Sequence, residues 1–177
     1  MHNIQFRPLD RSDFQMLAVW LGEPHVRSFY QKKPITFDEV VSEYEQLLHP
    51  EEPTIAHIAL NNGTPFAYLQ SYRNADYPEW EEVMGLKGGI SVDLFIGDKN
   101  FLGRGYGHAA LSAYIHTIAF PNYPAEKVAY ISHESTNTAA LKCSHAAGFR
   151  ETGSFIEEGA EMTLLSIPRS SEENAAK

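Results

Sequence analysis

Cysteine is nearly absent from this chain of 177 residues, in which Cys143 is the only one. A single cysteine excludes an internal disulfide framework and a zinc site built from cysteines. Basic residues are also scarce, because 14 lysines and arginines stand against 23 aspartates and glutamates and give a formal net charge of −9. This balance argues against a nucleic-acid-binding protein and favours a neutral or cationic partner.

Long apolar runs are missing as well, since no stretch approaches the roughly 18 apolar residues of a membrane-spanning helix. The first residues also lack the basic segment and apolar run of a secretory signal. We therefore expect a cytoplasmic protein with no membrane partner. The histidines lack the spacing of metal ligands, so no metal site is expected. The length predicts one domain over residues 1–168, followed by a disordered tail over 169–177.

The most informative pattern present is the stretch over residues 89–107, GISVDLFIGDKNFLGRGYG. An apolar run that contains one acid, Asp93, leads through a polar break to a glycine-rich turn and then to a helical pattern. The first N–H groups of a helix have no partner within the helix, and they bind phosphate oxygens well when glycines allow a close approach. The order of residues therefore predicts a strand, an anion-binding turn and a helix.

The remaining patterns predict elements on both sides of this stretch. Thr36 and Glu39 form a capping box at the start of a helix, and Asn62-Gly63 is typical of a tight hairpin turn. A strand over 127–131 follows the central helix, which indicates a parallel strand pair with a right-handed connection. The polar residues 74–88 are expected to form a long loop. The order of elements is that of an α/β protein with a mixed sheet.

The glycine turn spans Leu102, Gly103, Arg104, Gly105, Tyr106 and Gly107 and matches neither common nucleotide motif. A P-loop would end in Gly-Lys-Ser/Thr, and a dinucleotide fingerprint would require glycine at the position of His108. A structural turn without a ligand is one interpretation. The other is an anion site, which Arg104 favours because its guanidinium could face a diphosphate.

The turn resembles motif A of the GNAT superfamily of acetyl-CoA-dependent N-acetyltransferases, although Leu102 stands where the family usually has Arg or Gln. Residues 137–149 resemble motif B of the same superfamily, in which an Asn opens a helix and Gly-Phe ends it. Within the superfamily, residues 70–73, the acidic segment around Trp80 and residues 89–97 resemble aminoglycoside 6'-N-acetyltransferases. The resemblance implies a GNAT acyltransferase fold, with a central mixed sheet, a parallel pair at the coenzyme site and flanking helices.

The resemblance also implies a set of residues for acetyl-CoA, which would be the co-substrate. Residues of the strand would present backbone groups to the pantetheine arm, the turn would hold the pyrophosphate, and Asn137 would contact the coenzyme near its thioester. The implied coenzyme-binding residues are Leu94, Phe95, Ile96, Leu102, Gly103, Arg104, Gly105, Tyr106, Gly107, His108 and Asn137.

The acceptor is implied to be a polycationic amine, acetylated by direct attack on the thioester without a protein nucleophile. Asp93 would orient the amine and accept its proton, unless it forms a structural salt bridge instead. Ser144 occupies the place where many relatives have a tyrosine that protonates the thiolate. Its hydroxyl could hydrogen-bond the coenzyme sulfur, but it is a poor acid, so the proton could come from solvent, the product ammonium or another tyrosine. Cys143 is expected to be a packed thiol. The implied acceptor-binding residues are Gln70, Tyr72, Asp76, Glu79, Trp80, Asp93 and Glu134.

We therefore predict an acetyl-CoA-dependent N-acetyltransferase that acts, as a monomer or homodimer, on an aminoglycoside at the 6' amine. One alternative is the same reaction on a protein N-terminus, a polyamine or a siderophore precursor. Another is a non-catalytic acyl-CoA sensor, which Leu102 and Ser144 would suit. Where the aminoglycoside enzymes often have Asp-Pro, this chain has Ser132-His133, so His133 or Glu134 could make a different substrate contact.

Overall fold

The structure is a computed structural model that describes residues 2–170, whose strands form one seven-stranded sheet. The strands are β1 (Ile4–Pro8), β2 (Ile55–Asn61), β3 (Thr64–Arg73), β4 (Ile90–Ile96), β5 (Val128–Glu134), β6 (Arg150–Glu157) and β7 (Ala160–Pro168). The helices are α1 (Phe14–Gly22), α2 (Pro24–Arg27), α3 (Phe37–Tyr44), α4 (Pro78–Met84), α5 (Tyr106–Tyr114), α6 (Phe120–Asn122) and α7 (Thr138–Ala146).

The order of strands across the sheet is β1-β2-β3-β4-β5-β7-β6. Strands β4 and β5 run parallel, with Ile90 opposite Ala129 and Ser91 opposite Tyr130. The pairs β1–β2, β5–β7 and β6–β7 are antiparallel. The sheet is therefore mixed and carries helices between its strands, which confirms the predicted fold class and its parallel pair.

The chain divides into two compact units, and strands β3 and β4 and helix α5 each contribute residues to both. Within the described residues, the first unit comprises 2–70 and 94–110. Its core forms because apolar residues recur on one face of α1 and meet residues of α3, β2, β3 and β4. The buried members of this core are Leu9, Phe14, Leu17, Trp20, Leu21, Val26, Val40, Tyr44, Ala56, Ile58, Tyr68 and Phe95.

The second unit comprises residues 71–93 and 111–170. Helix α5 ends at Tyr114 and continues as a π-helical segment, Ile115–Ala119, whose side chains Ile115 and Ala119 are fully buried. Apolar residues of β4, β5 and β7 alternate along each strand, so one set of side chains is buried in this unit. The buried members include Ile90, Val92, Leu111, Phe120, Ala129, Ile131, Phe149, Leu164 and Leu165.

The acidic segment over residues 74–88 is not a loop as predicted, because it contains a 3-10 turn (Asn74–Asp76) and helix α4. Pro78 stands at the first position of α4, where its fixed φ suits a helix and its missing N–H costs nothing. Gly85 ends the helix in the left-handed conformation at φ 66°. These start and stop residues outweigh the polar composition on which the loop prediction depended.

The predicted tail begins at Arg169, yet the structure anchors this residue firmly. Its guanidinium donates hydrogen bonds to the carbonyl oxygens of Phe120, Tyr123 and Glu126, and it lies 4.5 Å from the centre of the Phe120 ring. Its backbone N–H also donates to Lys127 O over 2.8 Å. The ordered chain therefore extends past residue 168, while residues 171–177 of the predicted tail lie outside the described part of the chain.

Candidate active site

A small, partly open pocket lies in the second unit and is lined by residues of β3, α4, β4, β5 and β7. Two residues predicted to bind the acceptor, Tyr72 and Asp93, both line it. Asp93 is half-buried, so its carboxylate borders the pocket without being sealed from solvent. The other lining residues are Met84, Ser91, Val92, Tyr130, Ile131, Ser132 and Leu164.

Tyr72 is held on one side of this pocket by a T-shaped contact with the Tyr77 ring, whose centre lies 4.9 Å from that of Tyr72. Burial raises the pKa of the Tyr72 hydroxyl, and the negative charge of Asp93 raises it further. Both effects disfavour a phenolate beside a carboxylate. Tyr72 therefore remains a neutral phenol at physiological pH and is not a base in this pocket.

The other predicted acceptor-binding residues do not line this pocket, and two of them form hydrogen bonds with other side chains. Asp76 accepts two hydrogen bonds from Arg73, so its negative charge is already balanced by a guanidinium. Gln70, in the first unit, accepts a hydrogen bond of 2.6 Å from the Tyr68 hydroxyl. Glu79 and Trp80 are exposed on α4, and Glu134 is half-buried at the end of β5.

The predicted anion-binding turn lies in the first unit, and its glycines have the conformation that such a turn requires. Gly103 and Gly105 have φ angles of +67° and +82°, in the left-handed region that favours glycine. A side chain on Gly103 would meet open space, so its backbone is accessible. Helix α5 starts directly after Gly105, at Tyr106, and this arrangement fits a diphosphate on free helix N–H groups.

The side chains around the turn have more specific roles than the sequence indicated. Tyr106 packs against the rings of Phe66 and Phe101, at 5.6 Å and 4.7 Å, and therefore anchors the start of α5. Arg104 is exposed and donates a hydrogen bond of 3.0 Å to Asn100 O. His108 lies over Gly105, and Leu102 is 40% exposed. Their roles in coenzyme binding stay predictions.

The end of β4, which is predicted to face the pantetheine arm, is fixed by neighbours in the first unit. Phe95 is buried against Tyr68 and Trp20, and the Ile96 carbonyl lies 2.8 Å from Nε2 of His25. Leu94 is half-buried. Because His25 already occupies the Ile96 carbonyl, the backbone of Leu94 and Phe95 is the better candidate for the pantetheine contact.

Asn137 and Ser144 lie at the two ends of one helical stretch in the second unit. Asn137 caps α7, since its Oδ1 accepts a hydrogen bond of 3.2 Å from Ala140 N. Ser144 is 1% exposed, and its hydroxyl lies 2.8 Å from Nε2 of His133. A hydroxyl buried in this way does not reach a ligand unless α7 moves, so the predicted contact with the coenzyme sulfur gains no support.

His133 is turned toward α7 rather than into the pocket, although its neighbour Ser132 lines that pocket. Successive residues of a strand point to opposite faces, which explains the difference. Burial lowers the pKa of His133 to about 4. At neutral pH the ring is therefore uncharged, and it serves as a packed hydrogen-bond partner of Ser144.

The depressed pKa of His133 leads to a prediction about stability. The unfolded chain binds a proton near pH 6.5 and the folded chain near pH 4, so the free energy of unfolding falls as pH decreases through this window. Between pH 7 and pH 5 the expected loss is about 2 kcal/mol. His133→Gln should remove this contribution in urea unfolding measured at both pH values.

The exposed His49 offers the control, since His49→Gln should leave the pH dependence of unfolding as it is in the wild type. An unchanged pH dependence in His133→Gln would show that the buried ring is already protonated or can take up a proton without cost.

Cys143 also lies on α7, half-buried, and burial raises the pKa of its thiol to about 11. A thiol with this pKa is almost fully protonated at neutral pH and is a weak nucleophile. The structure therefore supports the expectation that Cys143 is a packing residue and not an acyl carrier.

Comparison with known proteins adds to this geometry. A family model described as an acetyltransferase (GNAT) domain matches residues 10–156, which is most of the chain. The chain belongs to the GNAT acetyltransferase family. This membership confirms the predicted enzyme class, an acetyl-CoA-dependent N-acetyltransferase, and acetyl-CoA as its co-substrate.

Two curated relatives of this acetyltransferase are aminoglycoside N(6')-acetyltransferases of type 1, from Klebsiella pneumoniae and Serratia marcescens. Each is 26% identical over 158 residues, which is 85% of this chain and 76% of the relative.

Solved structures show the same fold. Aminoglycoside acetyltransferase AAC(6')-Ib in complex with coenzyme A superposes with a TM-score of 0.84 at 23% identity, covering 99% of this chain and 100% of the other. The same enzyme with coenzyme A and kanamycin gives the same values. An uncharacterised protein from Bacillus halodurans has a TM-score of 0.82 at 19% identity, covering 93% of this chain and 83% of the other.

Several residues of the acetyltransferase's pocket were not predicted from the sequence, notably Tyr130, Ser132 and Met84. Tyr130 and Ser132 point to the same side of β5, and Tyr130 is opposite Ser91 on β4. The parallel pairing of these strands was predicted, but the pattern gives no register. Gly89 is a possible sequence signal for the close approach of Tyr130 to β4, because a side chain at residue 89 would come within 2.6 Å of the Tyr130 ring.

Across residues 2–170, no helix has the length and apolar character that crossing a membrane requires.

Proposed function

We propose that this acetyltransferase transfers the acetyl group of acetyl-CoA to the 6' amine of an aminoglycoside. The observation that carries the proposal is Asp93, a carboxylate in the middle of a strand that borders a pocket together with Tyr72. The curated relatives, which are aminoglycoside N(6')-acetyltransferases, support the choice of acceptor. The family match extends through both compact units, which supports a single acetyltransferase domain.

The coenzyme would be held by residues of the first unit. The N–H groups at the start of α5 and the open backbone at Gly103 suit the pyrophosphate, and Arg104 adds a cation that could turn toward it. The backbone of Leu94 and Phe95 would take the pantetheine arm. When bound, acetyl-CoA supplies the activated acetyl group as a thioester.

Asp93 would act on the acceptor amine. A primary alkyl amine is an ammonium ion at neutral pH and has no lone pair for attack, so it must first lose a proton. The Asp93 carboxylate accepts a hydrogen bond from the ammonium and takes its proton, directly or through water. The freed nitrogen then forms a bond to the acetyl carbon, and the carbon–sulfur bond breaks as coenzyme A leaves as a thiolate.

The thiolate must gain one proton as the amide forms. The nitrogen carries a surplus proton after attack, and this proton balances the reaction when it passes to the sulfur through solvent. Ser144 is buried against His133, and burial keeps the Tyr72 hydroxyl protonated, so neither is assigned this step. Leu102 and Ser144 differ from the residues that the family usually has at these positions. The proton transfer through solvent requires no side chain at either position.

A panel of amines tests the proposed acceptor through release of coenzyme A thiol under steady-state conditions. We expect kcat/KM for kanamycin-type aminoglycosides with a 6' amine to exceed that for spermidine and for an N-terminal peptide by at least about 100-fold, because several ammonium groups contact the acidic surface. Comparable values for spermidine or the peptide would overturn the aminoglycoside assignment. The absence of turnover with every amine, despite coenzyme binding, would favour an acyl-CoA sensor.

One specific alternative acceptor is a smaller amine with fewer positive charges. The salt bridge between Asp76 and Arg73 favours it, because Asp76 is then not available to bind an additional ammonium group. The spermidine arm of the same panel distinguishes this alternative.

A further inference from the structure

The ring of Tyr130 lies in a notch directly before strand β4, where Gly89 has no side chain. Strands β4 and β5 run parallel, with Ser91 opposite Tyr130. A Cβ added at Gly89 would come within 2.6 Å of Cε2 and 3.1 Å of Cδ2 of the Tyr130 ring. The ring therefore occupies the space that a side chain at residue 89 would take, and it leans toward the start of β4.

The backbone that forms this notch is held on both sides. Gly89 N donates a hydrogen bond of 2.7 Å to Oε2 of Glu126, and Gly89 O accepts one of 2.9 Å from Asn74 N. Asn74 is itself fully buried, and its Nδ2 donates to the carbonyl oxygen of Gly88 over 2.9 Å. The Tyr130 ring therefore rests against a fixed backbone, and this backbone sets the position of the ring.

Asp93 and the Tyr130 ring line different ends of the same pocket. Side chains alternate between the two faces of a strand, so Ser91 and Asp93 point to the same side of β4, about 7 Å apart along it. The ring leans from the level of Ser91 toward Gly89, whereas Asp93 lies beyond Ser91 in the other direction. An acceptor amine at Asp93 therefore leaves the rest of the acceptor next to the ring.

The Tyr130 ring offers an acceptor an apolar contact that a carboxylate cannot provide. The face of an aromatic ring carries partial negative charge and attracts C–H groups, whose hydrogens carry partial positive charge. A saturated ring with an aminomethyl substituent holds its C–H groups close to the nitrogen in few orientations. An open-chain amine must first lose rotational freedom to present the same groups.

We infer that Tyr130 is a specificity-determining residue whose ring packs against the C–H groups of an acceptor ring, so that the pocket selects an aminomethyl group on a ring over one on an open chain. The inference rests on the proposed function for the place where the acceptor amine binds. It deepens that function by naming a feature of the acceptor besides its charge, and it disfavours a linear polyamine.

The test compares two fragments with the same aminomethyl group, the cyclic methyl 6-amino-6-deoxyglucopyranoside and the open-chain 1-amino-1-deoxyglucitol. Their dissociation constants are measured by ligand-observed NMR with the intact chain saturated with coenzyme A. We expect the wild type to bind the cyclic fragment about tenfold more tightly, because it gains the contact with the aromatic ring and has fewer bonds to immobilise. Equal binding of the two fragments, tighter binding of the open-chain fragment, or binding of neither would overturn the inference.

Tyr130→Leu removes the aromatic face and should lower the preference for the cyclic fragment to about twofold, whereas Tyr130→Phe keeps the ring and should retain the preference. Tyr130→Met gives the same test if Tyr130→Leu does not fold. Phe37→Leu is the matched control, because it replaces a ring that is 45% exposed at the start of α3. An unchanged preference in Tyr130→Leu, or equal losses in Tyr130→Leu and Tyr130→Phe, would overturn the inference.

The ratio of the two dissociation constants separates specificity from a general structural effect. Disturbed packing of β5 would weaken the binding of both fragments and leave their ratio unchanged, which would count against the inference. Loss of the aromatic contact changes the ratio and leaves the dissociation constant for acetyl-CoA as it is in the wild type. Failure of the proposed function is seen separately, as a lack of preference for aminoglycosides in the turnover panel, because fragment binding requires no turnover.

Discussion

Asp93→Asn lowers kcat at least about 100-fold and leaves the dissociation constant for acetyl-CoA within about twofold. The variant keeps the size and hydrogen-bonding oxygen of the side chain but removes the group that takes the proton from the ammonium ion. Loss of a positioned general base typically costs a factor of about 10² to 10⁴. Steady-state kinetics on the best amine of the panel, together with titration calorimetry for acetyl-CoA, measures the two quantities.

The control for this variant is Asp38→Asn, which removes a carboxylate from the exposed first turn of α3 and should leave both quantities unchanged. Equal losses in turnover and coenzyme binding by Asp93→Asn would contradict the assigned role and indicate that Asp93 supports β4 instead. A pH profile adds a second readout, because raising the pH deprotonates the amine in solution and should partly restore turnover in Asp93→Asn.

Gly97→Ala destabilises the first unit by about 3 kcal/mol or more and weakens acetyl-CoA binding. An added Cβ would overlap the indole ring of Trp20, which is 7% exposed and belongs to the core of the first unit. Overpacking of this kind typically costs about 1–3 kcal/mol and more where the backbone must shift. Gly97 N also donates to Phe66 O over 2.8 Å, so a shift would disturb the end of β4.

Urea unfolding and coenzyme titration measure the two effects of Gly97→Ala. Gly22→Ala is a matched control, because Gly22 ends the helix that carries Trp20 and an added Cβ there meets nothing within 4 Å. Combining Gly97→Ala with Trp20→Leu should cost less than the sum of the two single variants, since the smaller side chain removes the overlap. Full additivity would contradict the proposed contact.

The sequence predicted those elements whose signals are local. The capping box at Thr36 starts α3, the Asn62-Gly63 turn joins β2 to β3, and Gly148 follows α7. Each depends on backbone preferences of a few adjacent residues. The acidic helix α4 was missed because its proline start and glycine stop were given less weight than its charge.

The candidate site was less predictable, because its contacts join residues that are distant in sequence. Asp93 was identified because an acid in an apolar strand is unusual. The residues of β5 that line the pocket with Asp93 could not be predicted, because they depend on the register of the parallel pair. The hydrogen bond between His133 and Ser144 joins a strand to a helix 11 residues later. The sequence placed both residues near the site but gave no indication of their contact.

The glycines show the same difference between features with local sequence signals and features that depend on packing. The left-handed conformation of Gly103 and Gly105 follows from a turn that the sequence makes evident. The role of Gly97 does not, because it arises from the close approach of Trp20, which lies on a helix 77 residues earlier in the chain. Positions of this kind become visible only when the packing is known.

The most direct test of the central claim is the position of the acetyl group on the product. The wild-type protein is incubated with kanamycin and acetyl-CoA labelled with ¹³C in the acetyl group, and the product is analysed by NMR. Our account predicts one labelled acetyl group, on the 6' nitrogen. Label on another nitrogen, or on an oxygen, or no labelled kanamycin while another amine is acetylated, would contradict it.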